Sequence, residues 1–300
     1  MTKQDFKELV SNKIVYLDGA MGSNLIKRGM PQGVCPEKWI LENRDVVVGL
    51  QKEYVEAGTN ILYAPTFTAN RPKLQEYGLE NDLVRINKEL VAVSKEAAGG
   101  KALVAGDITM TGIQLKPMGT LDIEELIEIY KEQALALIDG GVDLFVVETM
   151  MSLQETRAAV IALKEVCDLP IMATMTFEKS GRALYGTDAK TAAIVLSALG
   201  VDAIGANCST GPADMASVIA EMASVVNIPI IAKPNAGIPY LNEVCETAYD
   251  NTPENFGEEM KILVDSGATI LGGCCGTSPE YIKGVVGHNY IPSERAEAPK

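Results

Sequence analysis

Six cysteines lie in this 300-residue chain, and three of them are placed where sulfur could do chemistry. Cys208 follows one short apolar run, and the adjacent pair Cys274-Cys275 follows another, 66 residues further on. Cys35, Cys167 and Cys245 fall in loops or at a helix end. Thiolates are zinc ligands, and a catalytic zinc keeps one of its four tetrahedral positions open. Three cysteines would therefore hold a metal and leave room for a substrate. Adjacent residues on a regular strand point to opposite faces, so Cys274 and Cys275 can share one ion only where the chain bends. Gly272, Gly273 and Gly276 supply that freedom. The competing reading is inert burial, which is common for free cysteine and strongest for Cys208 taken alone.

Carboxylates form the second group. Asp18, Asp107 and Glu148 each end an apolar run, where a charge is costly unless it is paired. Asp18 and Asp107 would also serve as turn residues accepting loop amides. Glu148 is a poorer cap, and beside a zinc–thiolate site it suits a substrate ammonium. Asn235 lies on the run between the two cysteine-bearing ones, where its amide oxygen could fill the open metal position; as a turn residue in Pro234-Asn235-Ala236-Gly237 it needs no function. Asn207, next to Cys208, joins Asp18, Glu148 and Asn235 as a substrate-binding candidate. Met110, Met118 and Met150-Met151 could line an apolar entrance, although methionine more often fills cores.

The elements that must position these groups repeat along the chain. Apolar, β-branched runs occur at Ile14–Ala20, Asn60–Phe67, Ala102–Ile108, Leu144–Met150, Pro170–Phe177, Ala203–Ser209, Pro229–Ala236 and Ala268–Gly276. Near-continuous apolar runs suit parallel strands buried on both faces. Helical periods separate them, most clearly over Asp122–Gly141, with caps expected at Asp188, Thr252-Pro253 and Ser278-Pro279. Eight such units predict a single (β/α)8 barrel over residues 1–286, with 287–300 as a tail or the start of a linker. In that fold the chemistry sits at the C-terminal strand ends, where all the candidates fall.

Composition narrows the chemistry. The single histidine, His288, lies far along the chain near its last residues, which argues against Ser-His-Asp and Cys-His catalysis, and one histidine cannot make a multi-histidine metal site. A net charge of −14 argues against nucleic acid. No run approaches a membrane span, and the polar first residues lack the apolar core of a signal peptide, so a cytoplasmic protein is expected.

Three segments carry a resemblance. Asp18-Gly19-Ala20-Met21-Gly22, Gly205-Ala206-Asn207-Cys208-Ser209 and Gly272-Gly273-Cys274-Cys275-Gly276-Thr277 resemble the signature segments of the homocysteine S-methyltransferase family, over about Ile14 to Gly284. The resemblance implies a barrel whose three cysteines bind one zinc, with the sulfur of L-homocysteine as fourth ligand. It also implies that Asp18 and Glu148 hold the amino-acid end, and that methyl transfer yields methionine. Family members take the methyl group from methylcobalamin, S-methylmethionine or betaine. Only 5% of residues are aromatic, and Thr149 stands where betaine enzymes carry tyrosine, so betaine is disfavoured. Met175-Thr176-Phe177, Gly186-Thr187-Asp188 and Pro234-Asn235-Ala236-Gly237 resemble the homocysteine module of cobalamin-dependent methionine synthases. The expected donor is therefore methylcobalamin, carried by cobalamin- and folate-binding domains or subunits beyond the tail. A stand-alone enzyme using S-methylmethionine is the alternative. A metal-free lyase or isomerase working through Asp107 and Glu148, and a metal-storage or redox-sensing protein, are readings from other classes.

Overall fold

The computed structural model describes residues 1–11, 13–241, 247–295 and 297–298. Cys245 lies outside the described residues. The expected runs form the barrel strands β1 (Val15–Tyr16), β2 (Ile61–Tyr63), β3 (Leu103–Ile108), β4 (Leu144–Met150), β5 (Ile171–Met175), β6 (Ala203–Asn207) and β7 (Ile230–Lys233). After an antiparallel hairpin of β8 (Pro239–Leu241) and β9 (Thr247–Tyr249), β10 (Ile270–Leu271) supplies the eighth. The parallel order is β1-β10-β7-β6-β5-β4-β3-β2. The Leu17–Ile61 bridge and the bond from Asn60 N to Tyr16 O (2.7 Å) join its two ends. This is the (β/α)8 architecture, and no helix among the described residues is long and apolar enough to cross a membrane.

Burial on both strand faces explains why the runs are apolar throughout. Inward residues such as Leu17, Ile61, Val146, Met172 and Ile231 fill the barrel, and Phe6 and Val10 of the helix Lys3–Val10 join them. Outward residues pack against the surrounding helices in a larger core. Gly205 in β6 is a packing requirement, since a Cβ there would run into the backbone carbonyl of Ile231 on β7.

The helix Ile123–Gly140 opens with a reciprocal capping box between Asp122 and Glu125, and Gly141 closes it at φ 88°. Asp188 and Thr252 cap their helices as expected, accepting from the amides of Thr191 and Asn255. Ser278 does not: its hydroxyl donates to the Glu280 carboxylate, and Pro279 begins the helix without a side-chain cap. The last helix runs to Gly287. Beyond it, the segment expected as a tail is held against the barrel: Arg295 donates to the carbonyls of Ala223 and Ile228 (3.0 Å each), and Ala298 N to Asn227 Oδ1 (2.8 Å).

Candidate active site and metal centre

At the C-terminal mouth, β6 and the turn after β10 bring three sulfurs together. The Sγ atoms of Cys208, Cys274 and Cys275 all lie within 4.8 Å of one another, with Cys208 and Cys275 3.8 Å apart. The bend anticipated for the adjacent pair is present. Cys274 N donates to Pro234 O (2.7 Å), Thr277 Oγ1 to Cys274 O (2.7 Å), and Gly276 follows at φ 84° against the ring of Tyr249. Cys208 itself takes a left-handed backbone, φ 64°, which turns its thiol toward the pair.

Two zinc–sulfur bonds of 2.3 Å at the tetrahedral angle put their sulfurs about 3.8 Å apart, which is the separation of Cys208 and Cys275. The proton balance agrees. Bonding to Cys274 favours the Cys208 thiolate, but bonding to Cys275 and burial outweigh it and push Cys208 up to about 11. For Cys275, a favourable bond with Cys208 is outweighed by Cys274 and burial, and the thiol is pushed up to about 12. Bonding with Cys208, then burial, raises Cys274 as well. Three crowded thiols keep their protons unless a cation draws them off, and a dication does so.

These sulfurs form one end of a cavity of 310 Å³ that also reaches Asp18, Asp107, Glu148, Lys233 and Tyr63. Lys233 Nζ lies 3.2 Å from Asp18 Oδ1, 3.9 Å from Glu148 Oε2 and 3.8 Å above the centre of the Tyr63 ring. Asp18 Oδ2 accepts from Tyr63 N (2.8 Å), so both of its oxygens are engaged. Glu148 Oε2 and Asp107 Oδ1 are buried and have no hydrogen-bond partner among the described residues. Burial raises Asp18 and Glu148 despite Lys233; burial and then the neighbouring Glu148 raise Asp107 well above the usual carboxylate range. For Lys233, burial opposes the charge, but Asp18 and Glu148 more than offset it.

Asn207 is fully engaged beside the sulfurs. Its Oδ1 accepts from Thr149 N (2.9 Å) and Thr174 Oγ1 (2.8 Å), and its Nδ2 donates to Thr149 Oγ1 (2.8 Å) and reaches Cys274 Sγ (3.7 Å). It thereby fixes Thr149, whose φ is 58°. Asn235 is buried between the cysteine strands, and its Oδ1 has no hydrogen-bond partner among the described residues. Of the expected entrance methionines, Met150 is core and Met118 is exposed, whereas Met21 and Met30 line the cavity. Lys233, Tyr63 and Glu37 were not anticipated; a lysine ending the apolar run Ile230–Lys233 was the available signal for the first.

The family model for homocysteine S-methyltransferase matches residues 15–287. The chain belongs to the homocysteine S-methyltransferase family. Members are enzymes that transfer methyl groups onto homocysteine. Methionine synthases of Mycobacterium tuberculosis and Mycobacterium leprae are each 29% identical over 94% of this chain. The chain spans only 25% of their length. Among solved structures, the homocysteine methyltransferase MmuM of Escherichia coli in its oxidized form superposes with a TM-score of 0.79 at 20% identity, covering 93% of this chain and 97% of that one. Its metallated form gives 0.79 at 19%, covering 94% and 98%.

That coverage corrects the expected methyl donor. The homocysteine methyltransferase structures that superpose on this chain are covered by it over 97% and 98% of their own length, with no large further domain, so the expectation of methylcobalamin with cobalamin- and folate-binding partner domains is withdrawn. The metal-free lyase or isomerase reading loses its basis with the family assignment.

Proposed function

We propose that this barrel is a zinc-dependent homocysteine methyltransferase that takes its methyl group from a small sulfonium donor such as S-methylmethionine. The observation that carries the reading is the convergence of three thiols at a cavity whose charged groups are carboxylates and one buried lysine. Cys208, Cys274 and Cys275 would hold the ion, which when bound acidifies the homocysteine thiol and keeps its sulfur nucleophilic at neutral pH. Asn235, whose amide oxygen accepts no hydrogen bond among the described residues, would be the fourth donor before substrate arrives.

The chain's own groups do the rest. Glu148, whose Oε2 accepts no hydrogen bond among the described residues and only faces Lys233 at 3.9 Å, would receive the substrate ammonium. Asp18 would act on that end largely through Lys233, which keeps two buried carboxylates from repelling each other. Asn207 would position Cys274 and the Thr149 turn rather than touch substrate. Burial of the site excludes competing water. The reduced thiols suit a cytoplasmic setting.

The test is methionine formation from L-homocysteine and S-methylmethionine by zinc-loaded protein. Turnover that disappears, together with bound zinc, in a Cys208→Ala, Cys274→Ala, Cys275→Ala variant is expected. Unchanged zinc content in that variant, or no turnover by the zinc-loaded wild type, would overturn the reading.

A further inference from the structure

The cavity has a second half that the homocysteine site does not use. Away from the sulfurs it is walled by Met21, Leu25, Met30, Ile40 and Phe67, and one charged group, Glu37, faces it. Glu37 is 3% exposed, on the helix Pro36–Glu42. Its Oε1 accepts from the amide (3.2 Å) and hydroxyl of Thr68, and its Oε2 only from the Cys35 thiol at 3.4 Å. Thiols are weak donors. Among the described residues Glu37 forms no salt bridge, unlike Asp18 and Glu148, which share Lys233. A buried carboxylate ordinarily has a paired cation. Glu37 lines the cavity, and the thioethers and aromatic ring that share its wall are polarizable surfaces that favour a soft cation.

We infer that Glu37 is the recognition residue of a methyl-donor subsite, and that it selects a donor bearing a positive charge on the methyl-carrying sulfur. This inference rests on the homocysteine methyltransferase reading above. In the reaction, a lone pair on homocysteine sulfur forms the new S–CH3 bond. The donor's CH3–S⁺ bond breaks, its electron pair stays on the donor sulfur, and the thiol proton goes to solvent. The donor leaves as a neutral thioether. Glu37 therefore attracts the donor and loses its hold on the product. Because the positive charge fades as the methyl group departs, Glu37 favours the bound donor over the transition state. It lowers the donor KM without raising kcat.

The experiment compares S-methylmethionine with its uncharged carbon isostere, 2-amino-5-methylhexanoate, which keeps the same amino-acid end. With zinc-loaded protein and saturating homocysteine, the donor KM and the isostere's competitive inhibition constant are measured for wild type and Glu37→Gln. Glutamine keeps an acceptor for Thr68. Wild type is expected to prefer the cation by about tenfold or more, a difference of about 1.4 kcal/mol. Glu37→Gln should bring the ratio near one through a raised KM, with kcat not lowered. A variant that retains the ratio, or weakens both ligands equally, would show that Glu37 only braces the Thr68 loop and would overturn the inference while leaving the methyltransferase reading intact. Absence of wild-type turnover would instead sink both. Should Glu37→Gln not fold, Glu37→Asp, which draws the charge back by one methylene, must reduce the ratio; an unchanged ratio there overturns the inference too.

Discussion

Replacing Lys233 by methionine keeps the length of the side chain and deletes its charge. Lys233 and Asp18 are each 3% exposed, so the substitution strands a carboxylate that water cannot reach. Removing one member of a buried pair costs about 3–5 kcal/mol. Asp18 can limit the loss by taking up a proton. Starting from its ordinary value of 3.8, that costs about 4.4 kcal/mol at pH 7 and about 1.6 kcal/mol at pH 5. The sign follows from the same carboxyl. Its folded-state value is already raised, so its contribution to stability is complete below about pH 4 and is lost as pH rises through the folded value; without Lys233 that loss extends further upward. The gap between variant and wild type must widen with pH. At roughly 2 °C per kcal/mol for a chain of this size, calorimetry should show Tm lowered by about 6–9 °C at pH 7 and by about 3 °C at pH 5. A Lys233→Met, Asp18→Asn double variant should recover more than half of the pH 7 loss. A Tm reduction under 2 °C at pH 7, or one independent of pH, would refute the view that Lys233 compensates buried charge.

Other expectations follow from single contacts. Asp107→Asn removes a carboxyl held well above its usual range; stability tied to that raised value is lost as pH rises above the ordinary carboxyl value, so the variant should gain little over wild type at pH 3.5, on the order of 1–2 kcal/mol by pH 5 and no less at pH 8, read by denaturant titration. Gly205→Ala forces a methyl group into the Ile231 carbonyl and should cost about 3 kcal/mol or prevent folding; a soluble protein of wild-type Tm would contradict the packing described for β6 and β7. Asn207→Ala removes the bonds that fix Thr149 and the contact to Cys274, and should weaken zinc about 10–100-fold in competition with a chromophoric chelator.

Much of this was legible in the residues themselves. The eight strands are visible because parallel strands buried on both faces must be apolar at nearly every position, as in Leu144–Val147 and Ile171–Ala173. The cysteine cluster is visible because barrel topology fixes which strand ends meet, and Gly276 marks the bend at Cys274-Cys275. What stayed hidden depends on partners distant in sequence. Lys233 and Asp18 are 215 positions apart, and nothing local reveals that one compensates the other. The bonds from Thr149 and Thr174 to the Asn207 amide are created by the β4–β5–β6 alignment, and nothing local to Asn207 announces them. The hairpin of β8 and β9 and the docking of Arg295 onto helix-terminal carbonyls likewise follow from tertiary context, with no periodicity to announce them.

The central claim is that three cysteine sulfurs hold one zinc and leave a position for the sulfur of homocysteine. X-ray absorption at the zinc edge of the loaded protein, before and after L-homocysteine, counts those sulfurs directly. Three sulfurs and one lighter atom, becoming four sulfurs with substrate, is the expected result. A zinc shell that lacks three sulfurs, or one that homocysteine leaves unchanged, would contradict it.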